Sequence, residues 1–341
     1  MKVGLLARGE DRGLGIQTWE WSRAMRPDAT LLVDMGALGG GFTLHADRYG
    51  DATVATFDGV QFTDEHLVRS FLELVDVCYT AETVYDPRLP QWCHEHGVRL
   101  FVHVNPEFWR LHREHTLLEA CRWWAPTSWR LDSLPAATTV VPVPVPIDRW
   151  PEPAPLREQP VFVHVAGHRA AADRNGTSLV LAAVQQITGP FHLRVITQGD
   201  RLPVPRVAPG VHVELVTGGT DDYWRLYDDA DVLVLPRRYG GLCLPANEAA
   251  GAGLAVVMTS CAPNHRWPIV PVRAASTTTM TVPCGSIDVH NADVRHLTTL
   301  LRQLADDHEL RHERQRAARS WATTLSWRAL RGEIRETMAC G

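Results

Sequence analysis

The segment that most constrains the fold of this 341-residue chain is residues 229–259, DADVLVLPRRYGGLCLPANEAAGAGLAVVMT. Its apolar run at 232–235 stops at Pro236, as a short buried parallel strand would. A loop with two glycines follows, and Pro245 then begins a helix in its first turn. A glycine loop before a helix N-terminus predicts a phosphate site, because free N–H groups and the helix dipole converge there. Glu248, one turn into the helix, can reach a ribose, so the segment predicts a nucleoside diphosphate with a group attached.

The rest of the chain alternates short apolar strands with helical stretches, which predicts parallel sheets with helices on both faces. In the first half, strands are predicted at 3–6, 30–33, 52–57, 75–79 and 98–104, and helices at 18–25, 64–74, 87–96 and 106–120. In the second half, strands are predicted at 161–166, 192–197, 211–215, 232–235 and 254–258, and helices at 176–188, 221–229, 293–305, 308–323 and 327–338, besides the helix after Pro245.

The length of the chain fits two domains better than one core. A proline-rich stretch at 142–160 cannot form a central strand and predicts a stiff linker between them. We therefore predict a first domain at 1–148, a second at 149–325 and a separate last helix at 326–341.

The composition is that of a globular protein, with 45% hydrophobic and 21% charged residues. No apolar run approaches the roughly 20 residues of a membrane span, and the start of the chain is typical of a strand, not of a signal peptide. Seven scattered cysteines, an odd number without a CxxC pair, favour free thiols in a reducing cytoplasm.

The charge of the chain is acidic overall and unevenly divided. Residues 1–150 hold 14 Lys and Arg against 20 Asp and Glu, whereas the remainder holds 20 against 19, for a formal net charge of −5. This balance argues against nonspecific affinity for nucleic acid and leaves the basic surplus beside the predicted phosphate loop. Because Lys2 is the only lysine, phosphate contacts are expected from arginine, histidine or backbone, and a Schiff-base mechanism is excluded.

Residues 228–259 resemble the nucleotide-sugar site of the retaining GT-B glycosyltransferases of bacterial or phage type. The matching positions are Ala230, Asp231, Pro236, Gly241, Leu244, Pro245, Glu248, Ala249, Gly253, Val256 and Val257. The resemblance implies an α/β fold of two Rossmann-like doubly wound domains facing across a cleft, with a C-terminal helix after Ser326 that crosses back to the first domain. It also implies a transferase that moves a sugar from a nucleotide diphosphate sugar, UDP favoured, to an acceptor hydroxyl, with retention of configuration and no obligatory metal or cofactor.

The chain departs from the family at the first of two glutamates that sit eight positions apart. The resemblance assigns ribose binding to Glu248, but Gly240 stands where the family's sugar-binding glutamate would be. Cys243 replaces a glycine, although backbone contacts to the diphosphate need no particular side chain. The residues assigned to this loop are Tyr239, Gly240, Gly241, Leu242, Cys243 and Leu244. The alternative is a tight strand–loop–helix connection in which the glycines serve only packing.

A second segment, residues 165–177, resembles the family's donor loop, in which two cations neutralise the leaving diphosphate. His168 stands at the usual arginine position and Asn175 at the usual lysine position, so Arg174 is the main candidate cation. A cation there has a catalytic role, because negative charge builds on the leaving group. The residues assigned to the nucleotide-sugar site are Gly167, His168, Arg169, Arg174, Asn175 and Gly176. The alternative is that the arginines are solvated loop charges.

In the first domain, His103 ends a predicted strand at a position where the family often has a histidine near the transferring sugar. We assign it a catalytic, sugar-orienting role, with a satisfied buried histidine as the alternative. The residues assigned to the acceptor side are Gly13, Gly15, Glu82, Asn105 and Glu107. A plain turn is the alternative for the two glycines, and a surface carboxylate for Glu82.

Three further patterns have simpler explanations. His308 to His312 fits HExxH, but it lies in a helix crowded with charge, and Asp229-Ala-Asp231 fits DxD, but it precedes a buried strand. We therefore predict no metal site. Eight of the twelve tryptophans lie in residues 1–150, and core packing is the default for most of them. The tryptophans that could instead stack on an acceptor are Trp109, Trp123, Trp124 and Trp129.

Two functions of other classes stay open. A nucleotide-sugar epimerase can share this fold and donor site, and its acid and base groups would have to come from Glu82, His103 and Glu107. A non-catalytic nucleotide-sugar-binding protein would explain the missing first glutamate. For a transferase, the acceptor is a glycan, a protein or a modified nucleic-acid base, and the oligomeric state is not predicted.

Overall fold

The structure, a computed structural model, describes residues 1–36, 43–81, 83–108, 118–152, 157–167, 173–198, 202–282 and 285–340. The chain divides into two compact units. Unit 1 comprises residues 1–143, 281–285 and 327–341, and unit 2 comprises residues 144–280 and 286–326.

Unit 1 contains a seven-stranded parallel sheet in the order β3-β2-β1-β4-β5-β6-β7. Its strands are β1 Val3–Ala7, β2 Ala29–Asp34, β3 Thr53–Thr56, β4 Val77–Ala81, β5 Arg99–His103, β6 Cys121–Ala125 and β7 Thr139–Val140. Its helices are α1 Gly13–Met25, α2 Glu65–Leu72, α3 Leu89–Glu95 and α8 Trp327–Cys340. The strand order reverses between β1 and β4, and ligands of such sheets bind outside the carboxyl ends of the strands at this point.

The last helix, α8, packs in unit 1, although it follows unit 2 in the chain. Its apolar residues Trp327, Ile334 and Met338 join the core formed by β1, α1 and β4. Two hydrogen bonds also tie its C-terminal half to unit 1: Arg335 donates to the carbonyl of Met25 at 2.7 Å, and Arg99 donates to that of Ala339 at 2.9 Å.

Unit 2 contains a six-stranded parallel sheet in the order β10-β9-β8-β11-β12-β13, followed by the two-stranded β14–β15 sheet. Its strands are β8 Val161–Gly167, β9 Phe191–Thr197, β10 Val211–Thr217, β11 Val232–Val234, β12 Ala255–Thr259 and β13 Val270–Val272. It also contains β14 Ala274–Val282 and β15 Gly285–Ala292, except for their residues within 281–285, which belong to unit 1. Its helices are α4 Thr177–Val184, α5 Leu244–Ala252, α6 Val294–Asp306 and α7 His308–Thr324. Here the order reverses between β8 and β11, which pair directly.

The small residues of α5 allow close packing against the proline-rich segment. A Cβ atom at Gly251 would lie 2.9 Å from Val145 Cγ1 and 3.1 Å from the ring of Trp150. Arg319 of α7 donates hydrogen bonds to the carbonyls of both Gly251 and Trp150. The predicted linker is therefore attached to unit 2 at this point.

These two doubly wound sheets, with α8 returning to unit 1, confirm the predicted α/β fold class. Several elements differ from the predictions. The helix predicted at 221–229 is a short 3-10 helix, Tyr223–Tyr227, and most of the helix predicted at 106–120 lies outside the described residues. Strands β6, β7, β13, β14 and β15 were not predicted from the sequence. None of the helices in the described parts of the chain is long and apolar enough to cross a membrane.

Candidate functional site

The two predicted nucleotide loops lie side by side in unit 2, because they follow the neighbouring strands β8 and β11. A Cβ atom at Gly176 would lie 2.6 Å from the carbonyl oxygen of Pro236, so the loops touch where only glycine fits. Gly176 also has a φ of +73°, which glycine adopts at little cost. The two loops are also joined by a backbone hydrogen bond, since the N–H of Arg238 donates to the carbonyl of Arg174 at 2.9 Å.

Asn175 stands at the family's lysine position, where it supplies no charge and instead joins the two loops. Its amide donates to the carbonyl of Val165 at 3.0 Å, and its Oδ1 lies 3.4 Å from an Nη of Arg237. Arg237 itself is 3% exposed and donates to the carbonyl of Leu242 inside the second loop. Arg237 was not among the predicted site residues, although an arginine between a buried strand and a glycine loop is an unusual feature.

The N-terminus of α5 has the groups that an anion requires. Its N-cap residue, Cys243, makes no capping hydrogen bond with its side chain. Within the described residues, the backbone N–H groups of Leu242, Cys243 and Leu244 donate no hydrogen bond. Helix N-termini of this kind bind phosphate through these N–H groups and the helix dipole.

The N-terminus of α4, by contrast, is already occupied by a carboxylate. Asp173 accepts hydrogen bonds from the backbone N–H groups of Thr177 at 2.8 Å and Ser178 at 2.9 Å. Burial opposes ionisation of Asp173, but these bonds and that from the Ser178 hydroxyl outweigh it and hold the pKa of Asp173 below its usual value. Of the two helices that follow the predicted loops, only α5 is open to a phosphate.

Arg174, the predicted cation, lies between these loops and is half-buried. Its guanidinium carbon lies 5.8 Å from the ring centroid of Tyr239, within the range of a cation–π contact. Gly240, beside Tyr239, has a φ of +114°, a region that L-residues rarely adopt. The glutamate that the family has at position 240 would therefore be strained in this loop.

Glu248 is buried in the first turns of α5, and its Oε2 accepts a hydrogen bond of 2.5 Å from the hydroxyl of Tyr227. This is the length of a strong charge-assisted hydrogen bond. Burial, together with the negative charge of Glu248, raises the pKa of Tyr227 well above its usual value, so the hydroxyl stays protonated and donates. Tyr227 was not among the predicted site residues, because it lies 21 residues before Glu248 in a segment without a motif.

His103 lies at the carboxyl end of β5 in unit 1 and is 4% exposed. Its Nδ1 is 3.1 Å from the hydroxyl of Tyr79, and its ring stands edge-on to Trp124 at 6.0 Å between centroids. Burial lowers the pKa of His103 to about 4, so the ring is neutral at pH 7. Its sugar-orienting role stays a prediction.

The acceptor-side residues are placed as follows. Gly13 begins α1, and a Cβ atom at Gly15 would lie 1.9 Å from the carbonyl oxygen of Glu10, so glycine is required there for packing. Asn105 follows β5, and Glu107 is buried shortly after it. Their acceptor roles stay predictions. The predicted residues that lie outside the described part of the chain are Glu82, Trp109, His168 and Arg169.

The DxD pattern has a structural role within unit 2. The buried carboxylate of Asp231 accepts from the backbone N–H of Val161 at 2.9 Å, and Arg157 bridges Asp231 at 3.3 Å and Asp229 at 2.6 Å. These bonds join the start of β11 to the start of β8. In the HExxH pattern, His312 is hydrogen-bonded to Arg316 one turn along α7.

Comparison with known proteins agrees with this geometry. Residues 159–277 match the family model described as "Glycosyl transferases group 1". The whole chain is similar in structure to HepE from Anabaena, solved in complex with UDP, with 12% identity, 100% of both chains covered and a TM-score of 0.68. It is also similar to sucrose-phosphate synthase from Thermosynechococcus elongatus, with 12% identity, 100% of both chains covered and a TM-score of 0.63. No curated protein matches the chain by sequence.

The matched residues 159–277 lie within unit 2 and include both nucleotide loops and α5. The structural neighbours extend the GT-B fold to the full length of the chain. The predicted resemblance is thereby confirmed: the chain has the GT-B fold along its length, and its second unit carries a segment that matches the group 1 glycosyl transferase model.

Proposed function

We propose that this protein transfers a sugar from a UDP-sugar to an acceptor hydroxyl, and that unit 2 binds the donor. The observation that carries this proposal is the N-terminus of α5, which has no side-chain cap and where the described N–H groups of Leu242, Cys243 and Leu244 donate no hydrogen bond. Arg174 contacts Tyr239 in the same loop. UDP is favoured among nucleotides because HepE, which has this fold, was solved with UDP and with UDP and glucose.

The diphosphate would lie on these N–H groups, with the guanidinium of Arg174 as its cation. As the glycosidic bond breaks, negative charge grows on the leaving diphosphate, and fixed donors in a partly buried site stabilise it without reorganisation. No metal is required in this arrangement, since backbone dipoles and arginine supply the positive potential.

Glu248 would accept hydrogen bonds from the ribose hydroxyls. Tyr227 holds its carboxylate through the 2.5 Å hydrogen bond, so the side chain is fixed before the nucleotide binds. A receptor group that is ordered in advance loses less conformational entropy on binding.

Unit 1 would bind the acceptor, and the configuration of the sugar would be retained. In this scheme the leaving diphosphate takes the proton of the attacking hydroxyl, which lies on the same face of the sugar. His103, neutral at pH 7, would contact the sugar as a hydrogen-bonding group and not as a cation. The acceptor hydroxyl would belong to a glycan, a protein or a modified nucleic-acid base.

The test combines binding and turnover. Calorimetry with UDP and GDP, followed by a panel of UDP-sugars, should show UDP binding and one preferred sugar. UDP release should then depend on an added acceptor, and the anomeric configuration of the product by NMR should match that of the donor. Conversion of the UDP-sugar to another UDP-sugar without acceptor would instead show an epimerase, and binding without turnover a regulatory protein.

A further inference from the structure

We propose that Arg238 is a positioning residue that fixes Arg174 for the diphosphate, and that the β14–β15 sheet holds Arg238 in place. This inference rests on the proposed function, because it concerns the same donor site. The family pattern places no requirement on position 238, and the β14–β15 sheet was not foreseen from the sequence.

Arg238 holds the donor loop through two successive carbonyls. Its backbone N–H donates to the carbonyl of Arg174 at 2.9 Å, and one Nη donates to that of Asp173 at 3.5 Å. Asp173 has a φ of +46°, so the backbone turns sharply just before Arg174. These bonds hold the peptides on both sides of the Arg174 Cα atom, and so set the direction in which the Arg174 side chain leaves the loop.

The β14–β15 sheet holds Arg238 from the other side. The Nε of Arg238 donates to Oδ1 of Asn291 at 3.0 Å, and the backbone N–H of His290 donates to the carbonyl of Arg238 at 3.0 Å. Asn291 is itself anchored, because its amide donates to the hydroxyl of Ser276 in β14 at 3.1 Å. The chain of bonds therefore runs from β14 through Asn291 and Arg238 to the loop of Arg174.

Arginine suits this position because its planar guanidinium presents donors in fixed, divergent directions. In Arg238 one nitrogen bonds the sheet and another bonds the donor loop. Lysine keeps the positive charge but cannot make both bonds with this geometry. The charge and the positioning role can therefore be separated by substitution.

The experiment compares Arg238→Gln, Arg238→Lys and Asn291→Ala with the wild type by calorimetry, with UDP and uridine as probes. We expect each to weaken UDP binding by about three- to tenfold, the range for a charge-assisted contact that is loosened but not deleted. Uridine affinity should change less than twofold, because the diphosphate contact is absent. Arg273→Gln is the matched control: this exposed arginine pairs with Asp293 at the base of the same sheet and should bind UDP as the wild type does.

A double-mutant cycle with Arg174→Gln identifies the route of the effect. If Arg238 acts through Arg174, Arg238→Gln should weaken UDP binding much less in an Arg174→Gln background than in the wild type. Additive effects, or equal losses for UDP and uridine, would overturn the positioning role. If the wild type binds UDP and all three variants bind it with the same affinity, this inference alone is overturned. If the wild type binds no UDP, the proposed function is overturned with it.

Discussion

Replacing Glu248 by Gln tests the ribose contact with little disturbance to the fold. A Glu248→Ala change would remove the acceptor of the buried Tyr227 hydroxyl, and an unpartnered buried hydroxyl costs about 1–3 kcal/mol of stability. Gln has nearly the same shape, and its carbonyl oxygen can still accept the hydrogen bond from Tyr227. The change therefore removes the negative charge and one acceptor while the packing around α5 is kept.

The expected loss of binding follows from the charge. Hydrogen bonds to charged groups contribute about 1.5–3 kcal/mol, against about 0.5–1.5 kcal/mol for neutral ones. Replacing a carboxylate by an amide should therefore weaken UDP binding by about 1–2 kcal/mol, which is roughly 5- to 30-fold in Kd. A Tyr227→Phe variant should weaken it by less, because the carboxylate is kept and only its orientation is loosened.

The assay is calorimetry of UDP with each variant, with thermal unfolding as the control for the fold. Glu248→Gln should unfold within a few degrees of the wild type. Unchanged UDP affinity in folded Glu248→Gln would refute the assignment of Glu248 to the ribose, and a loss equal for inorganic pyrophosphate and UDP would place Glu248 on the diphosphate instead.

Three further predictions concern the fold around the site. Gly240→Glu should restore the family residue but not its function: the φ of +114° should cost about 1–2 kcal/mol of stability, seen as a lower Tm, with no gain in UDP-sugar affinity. Gly251→Ala should lower the free energy of unfolding by about 1–3 kcal/mol through overpacking against Trp150, whereas Gly332→Ala in α8, where a Cβ meets no atom within 4 Å, should be neutral or slightly stabilising. For His103, burial sets the pKa at about 4 in the folded chain against about 6.5 unfolded, so the unfolded chain binds the extra proton between these values and stability falls as the pH drops through them. Urea unfolding of His103→Gln at pH 7 and pH 4.5 should therefore show a pH dependence weaker than that of the wild type by about 2 kcal/mol; an equal dependence in both would contradict the burial of a neutral imidazole.

The architecture could be predicted because its causes are local in the sequence. Alternating strands and helices, and the glycine loop before Pro245, depend on neighbouring residues, and both nucleotide loops lie in unit 2 next to each other because parallel strands bring their carboxyl ends to one edge. Their adjacency was implied by topology, but the bonds that join them were not. The contacts of Asn175 with Arg237 and of Arg174 with Arg238 span more than 60 residues.

The parts that could not be predicted depend on such long-range contacts. Tyr227 lies in a short 3-10 helix, within the range predicted as a helix, but its role appears only from its hydrogen bond to Glu248. Strand β14 is largely exposed and lacks the apolar alternation that marks a strand facing a core. Strand β15 alternates only briefly, with Ile287 and Val289 buried. His103 illustrates a sequence pattern with two explanations. A histidine at the end of a strand can contact a sugar or can be a buried histidine with its partners satisfied, and the sequence does not show the aromatic rings that surround it.

In the proposed donor site, the absence of the family's first glutamate is explained by a backbone constraint at position 240. The loop that carries Gly240 is bound on both sides: the Arg237 side chain holds its later part at Leu242, and the Arg238 side chain holds its start against Asn291 and the carbonyl of Asp173. Between these two anchors the backbone passes through a conformation that only glycine adopts at low cost, so the loss of the glutamate and the shape of the loop belong together. A change at position 240 alone therefore cannot convert this site to the family's usual sugar contact. A variant that first loosens the anchor, Arg238→Gln combined with Gly240→Glu, should relieve part of the strain and recover some of the Tm lost by Gly240→Glu, and a double variant that unfolds at the sum of the two separate losses would show that the anchors and Gly240 are independent.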